Sequence, residues 1–418
     1  MNQAFLTGIV GIQTHQYGID VLADNIANIN TVGFRASRTE FGSLFESALN
    51  SDLLGSPTYD SIGVGSRVQA TTMREEVGVM LPSDKTSSLA IEGEGWFGVS
   101  QGRETYYTRS GNFLFDADRN LVTTDGYYVM GSMAGNISNG ELTHVVDTVE
   151  LSGVEGQVLL LPGSLTFPGE PSTVAHFKGN LGIDAIDRLV SAEVIDPNNT
   201  SNRLALRFEK SAVQPAEGTA WDITASIANR DGSTIYDSAT GTATFSGNGS
   251  IIDYSLPTMN NNGAPVAIDL GTAHNGIISI DSLSAGTFSS TSDGSQRGEL
   301  TGYEVSQNGD IIVAFDNGRQ SAIAKIALYH FQNDQGLERV GGTRYQASSN
   351  SGEPIIYTDA NGKYITGSRI LGNMLESSNV HLETALTELI IMQRAFDANA
   401  KCITTGDELV QKALQMDA

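Results

Sequence analysis

Apolar residues recur at every seventh position in two stretches, one at each end of the chain: Phe5, Ile12, Ile19 and Ile26, then Leu382, Leu389, Phe396, Ile403 and Val410. A period of seven marks a helical seam that faces another helix. Ile9 and Ala23 complete the first seam and Leu386 and Ala400 the second, while Gln16 and Gln393 place one polar residue inside each. The first pattern predicts a helix from about residue 2 to 29, stopping at Asn30-Thr31-Val32-Gly33, where Gly33 can take the left-handed conformation that ends helices. Two helices of about 30 residues, each roughly 45 Å long, bury too little surface to offset their own ordering. Nothing between them offers an obvious partner, so the missing partners are expected to be other copies of the chain.

The pattern changes abruptly after the first helix. Residues 35–85 have apolar spacing too irregular for a helix, with Gly55-Ser56-Pro57 and Gly63-Val64-Gly65 as breaks, and read as an extended linker. From Ser88 onward come short alternating runs: Leu89 and Ile91; Trp96, Phe97 and Val99; Tyr106 and Tyr107; Phe113 and Phe115; Tyr127, Tyr128 and Val129. Bounding Gly, Asn and Asp residues make these antiparallel strands joined by hairpins. A second β segment spans about 150–285, with Leu204, Leu206 and Phe208 alternating, as do Trp221, Ile223, Ala225 and Ile227. A third, about 297–357, has the texture of the first. The expected fold is mainly β and multi-domain with a helix at each end, in a nested order: a helical polymerisation layer from 1–34 and 368–418, the linker 35–85, an inner β domain from 86–148 plus 286–367, and an inserted outer β domain, 149–285.

Composition narrows the partners. At 418 residues several compact units are expected in series. The 24 basic and 48 acidic residues leave a net charge of -24, which argues against nucleic acid and anionic membrane. No stretch has the roughly 18 apolar residues of a membrane span. The first basic residue is Arg35, so no basic n-region of a cleaved secretory signal is present. Low Cys with abundant Gly, Ser, Thr and Asn is common among bacterial surface polymers exported without signal cleavage. The one cysteine, Cys402, excludes an internal disulfide and is expected as a small buried hydrophobe in the C-terminal helix.

Chemical motifs fail on context. Gly93-Glu94-Gly95-Trp96-Phe97-Gly98 has the spacing of a dinucleotide fingerprint, and Gly98-Val99-Ser100-Gln101-Gly102 that of a nucleophile elbow. Both need a helix directly afterward, and both sit among strands. The six histidines show no metal-ligand spacing. Asp116-Ala117-Asp118-Arg119-Asn120 imitates a calcium loop but has Leu121 where glycine is needed and Tyr127 where glutamate is, so it reads as a hairpin turn. Abundant acids leave a two-carboxylate site open without singling one out. No catalytic, cofactor or metal residue is assigned. The competing class is a β-rich enzyme or glycan-binding module with oligomerisation helices, for which Trp96 and Trp221 would be platforms, although their alternating strands favour a core role.

Three blocks carry a resemblance. Residues 22–35, LADNIANINTVGFR, are similar to the N-terminal signature of the bacterial flagellar rod and hook axial family. So is the stretch from Ser88 to Gly131, with Ala90-Ile91-Glu92-Gly93, Tyr107-Thr108-Arg109-Ser110-Gly111-Asn112-Phe113 and Leu121-Val122-Thr123-Thr124-Asp125-Gly126. The third block is Leu375-Glu376-Ser377-Ser378-Asn379-Val380 followed by residues 391–401, IMQRAFDANAK. The outer insert and the runs at 336–341 and 347–354 look like the hook branch, a distal-rod-type protein being the alternative. The resemblance implies an antiparallel pair of terminal helices around an export channel, β domains outside it, and a curved hollow tube that passes torque from rod to filament. It also implies an extracellular flagellar location, a homopolymer, and rod, hook cap, hook-filament junction and export apparatus as partners. Motif residues carried over are Asn25, Ala27, Asn28, Gly33, Phe34, Ser378, Asn379, Gln393, Arg394 and Asn399. His381 stands where the family usually has an acid and Ala385 where glutamate is common, so no axial contact is carried over there.

Overall fold

A computed structural model describes residues 2–45, 63–281 and 286–416 of the chain. Helix α1 runs Asn2–Ala27 and helix α2 runs Leu382–Met416. They lie antiparallel: Gly8 faces Ile403, Gly11 faces Asn399, and Gly18 faces Met392. Helix α1 ends at Ala27, close to the expected residue 29, and the Asp24 carbonyl accepts from both the backbone N–H and the side chain of Asn28, at 3.1 and 2.9 Å. Gly33 is left-handed, with φ of 68°, but serves a different turn.

The linker expectation is corrected. Strands β1 (Ser37–Phe45) and β2 (Gly63–Met73) form an antiparallel hairpin that lies along α1. Thr14 Oγ1 donates to the Ser66 carbonyl at 2.8 Å, Tyr17 and Thr71 hydroxyls meet at 3.1 Å, and Asn25 exchanges two hydrogen bonds with the Ser37 backbone at 2.7 and 2.9 Å. The irregular apolar spacing follows, since the packing partner along most of the hairpin is a helix and not a second sheet. The Gly55-Ser56-Pro57 marker lies outside the described residues.

The inner β body is built on a sheet whose central strands are Asp310–Phe315, Gln320–Ile326, Tyr128–Met133, Trp96–Gln101 and Glu104–Thr108. Its core gathers Leu89, Ile91, Phe97, Phe113, Val129, Val313, Ile323 and Ile326, with Leu159, Leu161, Leu165 and Phe167. The last four correct the expected boundary at 149: the inner body keeps the chain to about Phe167, because that segment fills the same core. At the other end Phe288–Ser292 still pairs with Val174–Asn180 in the outer body, so the return falls near 293 and not 286.

The outer body has one core, with Phe177, Leu204, Leu206, Phe208, Trp221, Ile223, Ala225, Ile227 and Phe245 among its members. Alternation explains it: Phe208 pairs with Ile223, Leu206 with Ala225 and Leu204 with Ile227, placing every second residue inward. A five-stranded antiparallel meander packs on a second sheet that contains parallel pairs. The chain crosses between the bodies twice, side by side, where Glu170 and Ser295 exchange backbone hydrogen bonds at 2.9 and 3.0 Å.

The motif decoys resolve into turns and strands. Gly93 and Gly95, with φ of 120° and 114°, shape the turn before Trp96–Gln101, the strand that holds Ser100. Asn120 closes the 116–120 turn by donating its backbone N–H to Asp116 Oδ1 at 2.7 Å. Trp96 and Trp221 are 2% and 0% exposed, which removes both as glycan platforms. Cys402 is exposed, contrary to the expectation.

Candidate functional site

Two features stand out: the face on which the helices meet, and the joint that fixes them to the inner body. The buried face of α1 consists of Gly8, Gly11, Thr14, Gly18, Leu22 and Asn25. The expected seam lies one position round from this face: Ile9, Ile12, Ile19 and Ile26 are half-buried and Phe5 is exposed. Glycine in a helix costs roughly 0.5–1 kcal/mol relative to alanine, so three glycines on one face imply a need for close approach. A β-carbon on Gly11 would come within 2.4 Å of Asn399 Oδ1, and one on Gly8 within 2.8 Å of Ile403 Cγ1. Asn399 holds its own amide in place by donating to the Ala395 carbonyl at 2.8 Å.

On α2, Leu389, Phe396 and Ile403 are half-buried, while Leu382, Leu386 and Val410 remain exposed. Exposed apolar residues continue at Ile390, Ile391, Leu409, Leu414 and Met416. Because Gly8 already faces Ile403, the last turns of the 35-residue α2 run past the start of the 26-residue α1. The heptad stripe of α2 thus turns toward the glycine face of α1, and further aliphatic residues outside it stay exposed.

The joint centres on Glu376, which is 1% exposed. Its Oε1 meets Arg35 Nη2 at 3.0 Å and accepts from the Gly78 N–H at 3.1 Å, and its Oε2 meets Arg109 Nε at 3.0 Å. Arg109 spends its remaining donors on the carbonyls of Gly95 (2.5 Å), Gly93 (2.9 Å) and Ile91 (3.3 Å). Arg35 also donates to the Glu76 carbonyl. Burial pulls the Arg109 guanidinium down to about 10, and the Glu376 carboxylate opposes that shift, so it stays charged at neutral pH. Two cations against one anion are tolerable here because main-chain carbonyls satisfy the surplus donors.

Motif residues converge on this joint. Asn379 Oδ1 accepts from the Ala36 N–H at 2.7 Å while its Nδ2 donates to the carbonyls of Arg74 and Glu76 at 3.1 and 2.8 Å. Gly33 N–H donates to the Glu376 carbonyl at 2.8 Å, and a β-carbon there would strike the Ser110 nitrogen at 2.3 Å. Phe34 is buried under the Arg339 guanidinium, 4.8 Å from the ring centre, and Arg339 also pairs with Asp24 at 2.9 Å. Ser378 Oγ accepts from the Val380 N–H at 3.3 Å. Ala385 is buried beside Phe34 and Val380, where a glutamate would lose its hydration. Ala27, Gln393 and Arg394 are not brought to the joint and lie exposed. Sequence reasoning missed the roles of Arg109, Glu376 and Gln335. Gln335 pairs with both Met73 backbone groups, at 2.8 Å each, and fixes the end of β2 to the inner body. The only available signal was that Arg109 and Glu376 stand inside otherwise apolar or small-residue blocks.

Beside the joint, His330 is buried, stacks on Tyr357 at 4.0 Å between ring centres, and donates from Nε2 to the Thr366 carbonyl at 3.0 Å. Burial lowers its pKa from 6.5, against the raising effect of that hydrogen bond. The unfolded chain therefore takes up the proton first. This contribution to stability is complete above about pH 6.5 and is lost as pH falls below it. Thermal unfolding followed from pH 7.5 down to 5 should show the inner body weakening, and His330→Gln should flatten that part of the profile. His15 is shifted the same way by burial, whereas burial raises Asp334, which acts in the opposite sense.

Comparison with known proteins follows this geometry. Family models match at residues 5–35 (flagella basal body rod protein), 90–154 (flagellar hook protein FlgE/F/G D1 domain) and 371–416 (flagellar basal body rod FlgEFG protein C-terminal). They fall on α1, on the inner body and on α2 with the joint. The fold and these matches together define an axial structural protein of the bacterial flagellum. Similar chains include a flagellar hook protein FlgE of Rhizobium meliloti, 30% identical over 97% of this chain and 96% of that one, and one of Borreliella burgdorferi, 29% identical over the whole of both. The crystal structure of a Helicobacter pylori flagellar hook protein, FlgE2, shares the fold with a TM-score of 0.53 and 19% identity, over 71% of this chain and all of the other. The chain belongs to the flagellar hook protein FlgE family and is a structural subunit of the hook.

Proposed function

We propose that copies of this chain assemble head to tail into a hollow, curved tube that carries torque from rod to filament, with the helix pairs innermost and the outer bodies outside. The observation that carries this reading is the aliphatic surface left open around α2, where Ile390, Ile391, Leu409 and Leu414 are 56%, 59%, 54% and 68% exposed with no covering element among the described residues. An open helical polymer needs one patch to meet a different patch on the next copy. The half-buried residues Ile9, Ile12, Ile19, Ile26, Leu389, Phe396 and Ile403, with exposed Phe5, Leu382, Leu386 and Val410, are the proposed seam between copies.

No helix among the described residues is long and apolar enough to cross a membrane. The subunit is proposed to leave the cell through the flagellar export apparatus without signal cleavage, to meet rod, hook cap and hook-filament junction proteins at the ends of the tube, and to have no catalysis of its own. Ile19→Asp or Leu389→Asp should abolish tube formation seen by electron microscopy, with both β bodies still folded. Normal tube growth by either variant refutes the seam.

A further inference from the structure

The inner and outer bodies have separate cores, and the chain joins them at the side-by-side crossings where Glu170 meets Ser295. Between the bodies lies a groove of about 660 Å³, lined by Glu193 and Ile195 from the outer body and by Asn317 and Arg319 from the inner. Core packing therefore does not set the angle at which the outer body stands. Arg319 reaches the crossing from the inner side, donating to the Asp293 carbonyl at 3.3 Å and pairing with Glu170 at 3.8 Å. Both contacts end on the crossing itself, and an ion pair whose members are 44% and 56% exposed holds weakly.

One side chain of the outer meander reaches past the crossing. The turn between strands Asp187–Ile195 and Ser201–Lys210 brings up Asn199, whose Oδ1 accepts from the Arg297 N–H at 2.7 Å. Arg297 belongs to the inner body: it stands directly before the inner strand Gly298–Val305 and donates from Nη2 to Thr166 Oγ1 at 3.1 Å. The turn that carries Asn199 is braced from within by Asp196, which is 1% exposed. Its Oδ1 accepts from the N–H groups of Asn198 and Thr200 at 3.0 and 2.7 Å, and its Oδ2 accepts from Asn262 Nδ2 at 2.7 Å. Asn199 itself takes a left-handed φ of 63°, which asparagine tolerates better than most residues that carry a side chain. Gly169 makes room for the amide, since a β-carbon there would lie 2.4 Å from Asn199 Oδ1. Among the described residues no other side chain of the meander hydrogen-bonds to the inner body.

We infer that Asn199 is a positioning residue that locks the outer body at one angle to the inner body, with Asp196 holding the turn in shape and Gly169 leaving the lock its space. A single neutral hydrogen bond shifts a two-state population by roughly two- to tenfold, so the lock selects one angle and lets the body turn when it opens. The lock belongs to the single subunit, and its test needs no tube.

The test uses the full-length protein as a monomer in a Cys402→Ser background, with spin labels at Val145→Cys in the inner body and Val213→Cys in the outer, both exposed sites. Pulsed electron resonance then reads the distribution of distances between the labels. Asn199→Gly, which keeps the left-handed turn and removes the amide, should raise the share of subunits outside the original distance by about fivefold. Gly169→Ala should do the same with Asn199 intact, whereas Asn199→Asp, which retains an oxygen for the Arg297 N–H, should keep the original distribution. Intrinsic fluorescence of Trp96 and Trp221 checks that both bodies remain folded. An unchanged distribution in Asn199→Gly or in Gly169→Ala overturns the inference, and so does an Asn199→Asp distribution as broad as that of Asn199→Gly.

Discussion

Replacing Glu376 with Ala should remove about 3–5 kcal/mol from the stability of the inner body, the cost of leaving buried charge without its partner. Arg35 and Arg109, 5% and 1% exposed, would keep their charges but lose the carboxylate between them. Main-chain carbonyls hold part of each guanidinium, so the residual strain falls on Arg109 Nε and Arg35 Nη2. The chain has two tryptophans, and they report separately: Trp96 packs on Tyr345 in the inner body and Trp221 lies in the outer core. Urea unfolding of Glu376→Ala should shift the Trp96 transition and leave that of Trp221 in place, which a Trp221→Phe background makes measurable. A shift below about 1 kcal/mol, the size expected for an exposed pair such as Arg207 and Asp187, refutes a structural role for the joint.

The second large effect is expected at Gly11. Gly11→Leu should abolish tube formation without lowering the stability of either β body, because the side chain would have to occupy the volume of the Asn399 amide. Helix propensity predicts the opposite, since leucine favours a helix over glycine by most of 1 kcal/mol. Loss of assembly in a more helical variant would therefore identify close approach as the property selected at this position. The smaller change Gly11→Ala, whose β-carbon would meet three atoms of the Asn399 side chain at 2.4–2.9 Å, should be partly rescued by Asn399→Ala. Assembly of Gly11→Leu at the original critical concentration refutes the glycine-face account.

Element types were legible where burial has a period. Seven-residue recurrence found α1 and α2, and two-residue alternation found the outer meander, because Leu204, Leu206 and Phe208 each face one core. The β1 and β2 hairpin was not legible, since it packs on a helix whose surface repeats with another period and imposes no alternation of its own. The boundary at 149 failed for a related reason: Leu159, Leu161 and Leu165 serve the inner core from a segment with little regular structure. The joint was half legible. Asn25, Gly33, Phe34, Ser378 and Asn379 could be carried over by resemblance, but the pairing of Glu376 with arginines 341 and 267 positions away leaves no local trace.

The side-by-side crossings at Glu170 and Ser295 give the inserted body one point of entry and exit. A domain attached in this way can lengthen, shorten or exchange its strands without moving the register of any strand in the body that carries it. Along a lineage of such chains, the inserted body and the body that carries it are therefore free to change at different rates.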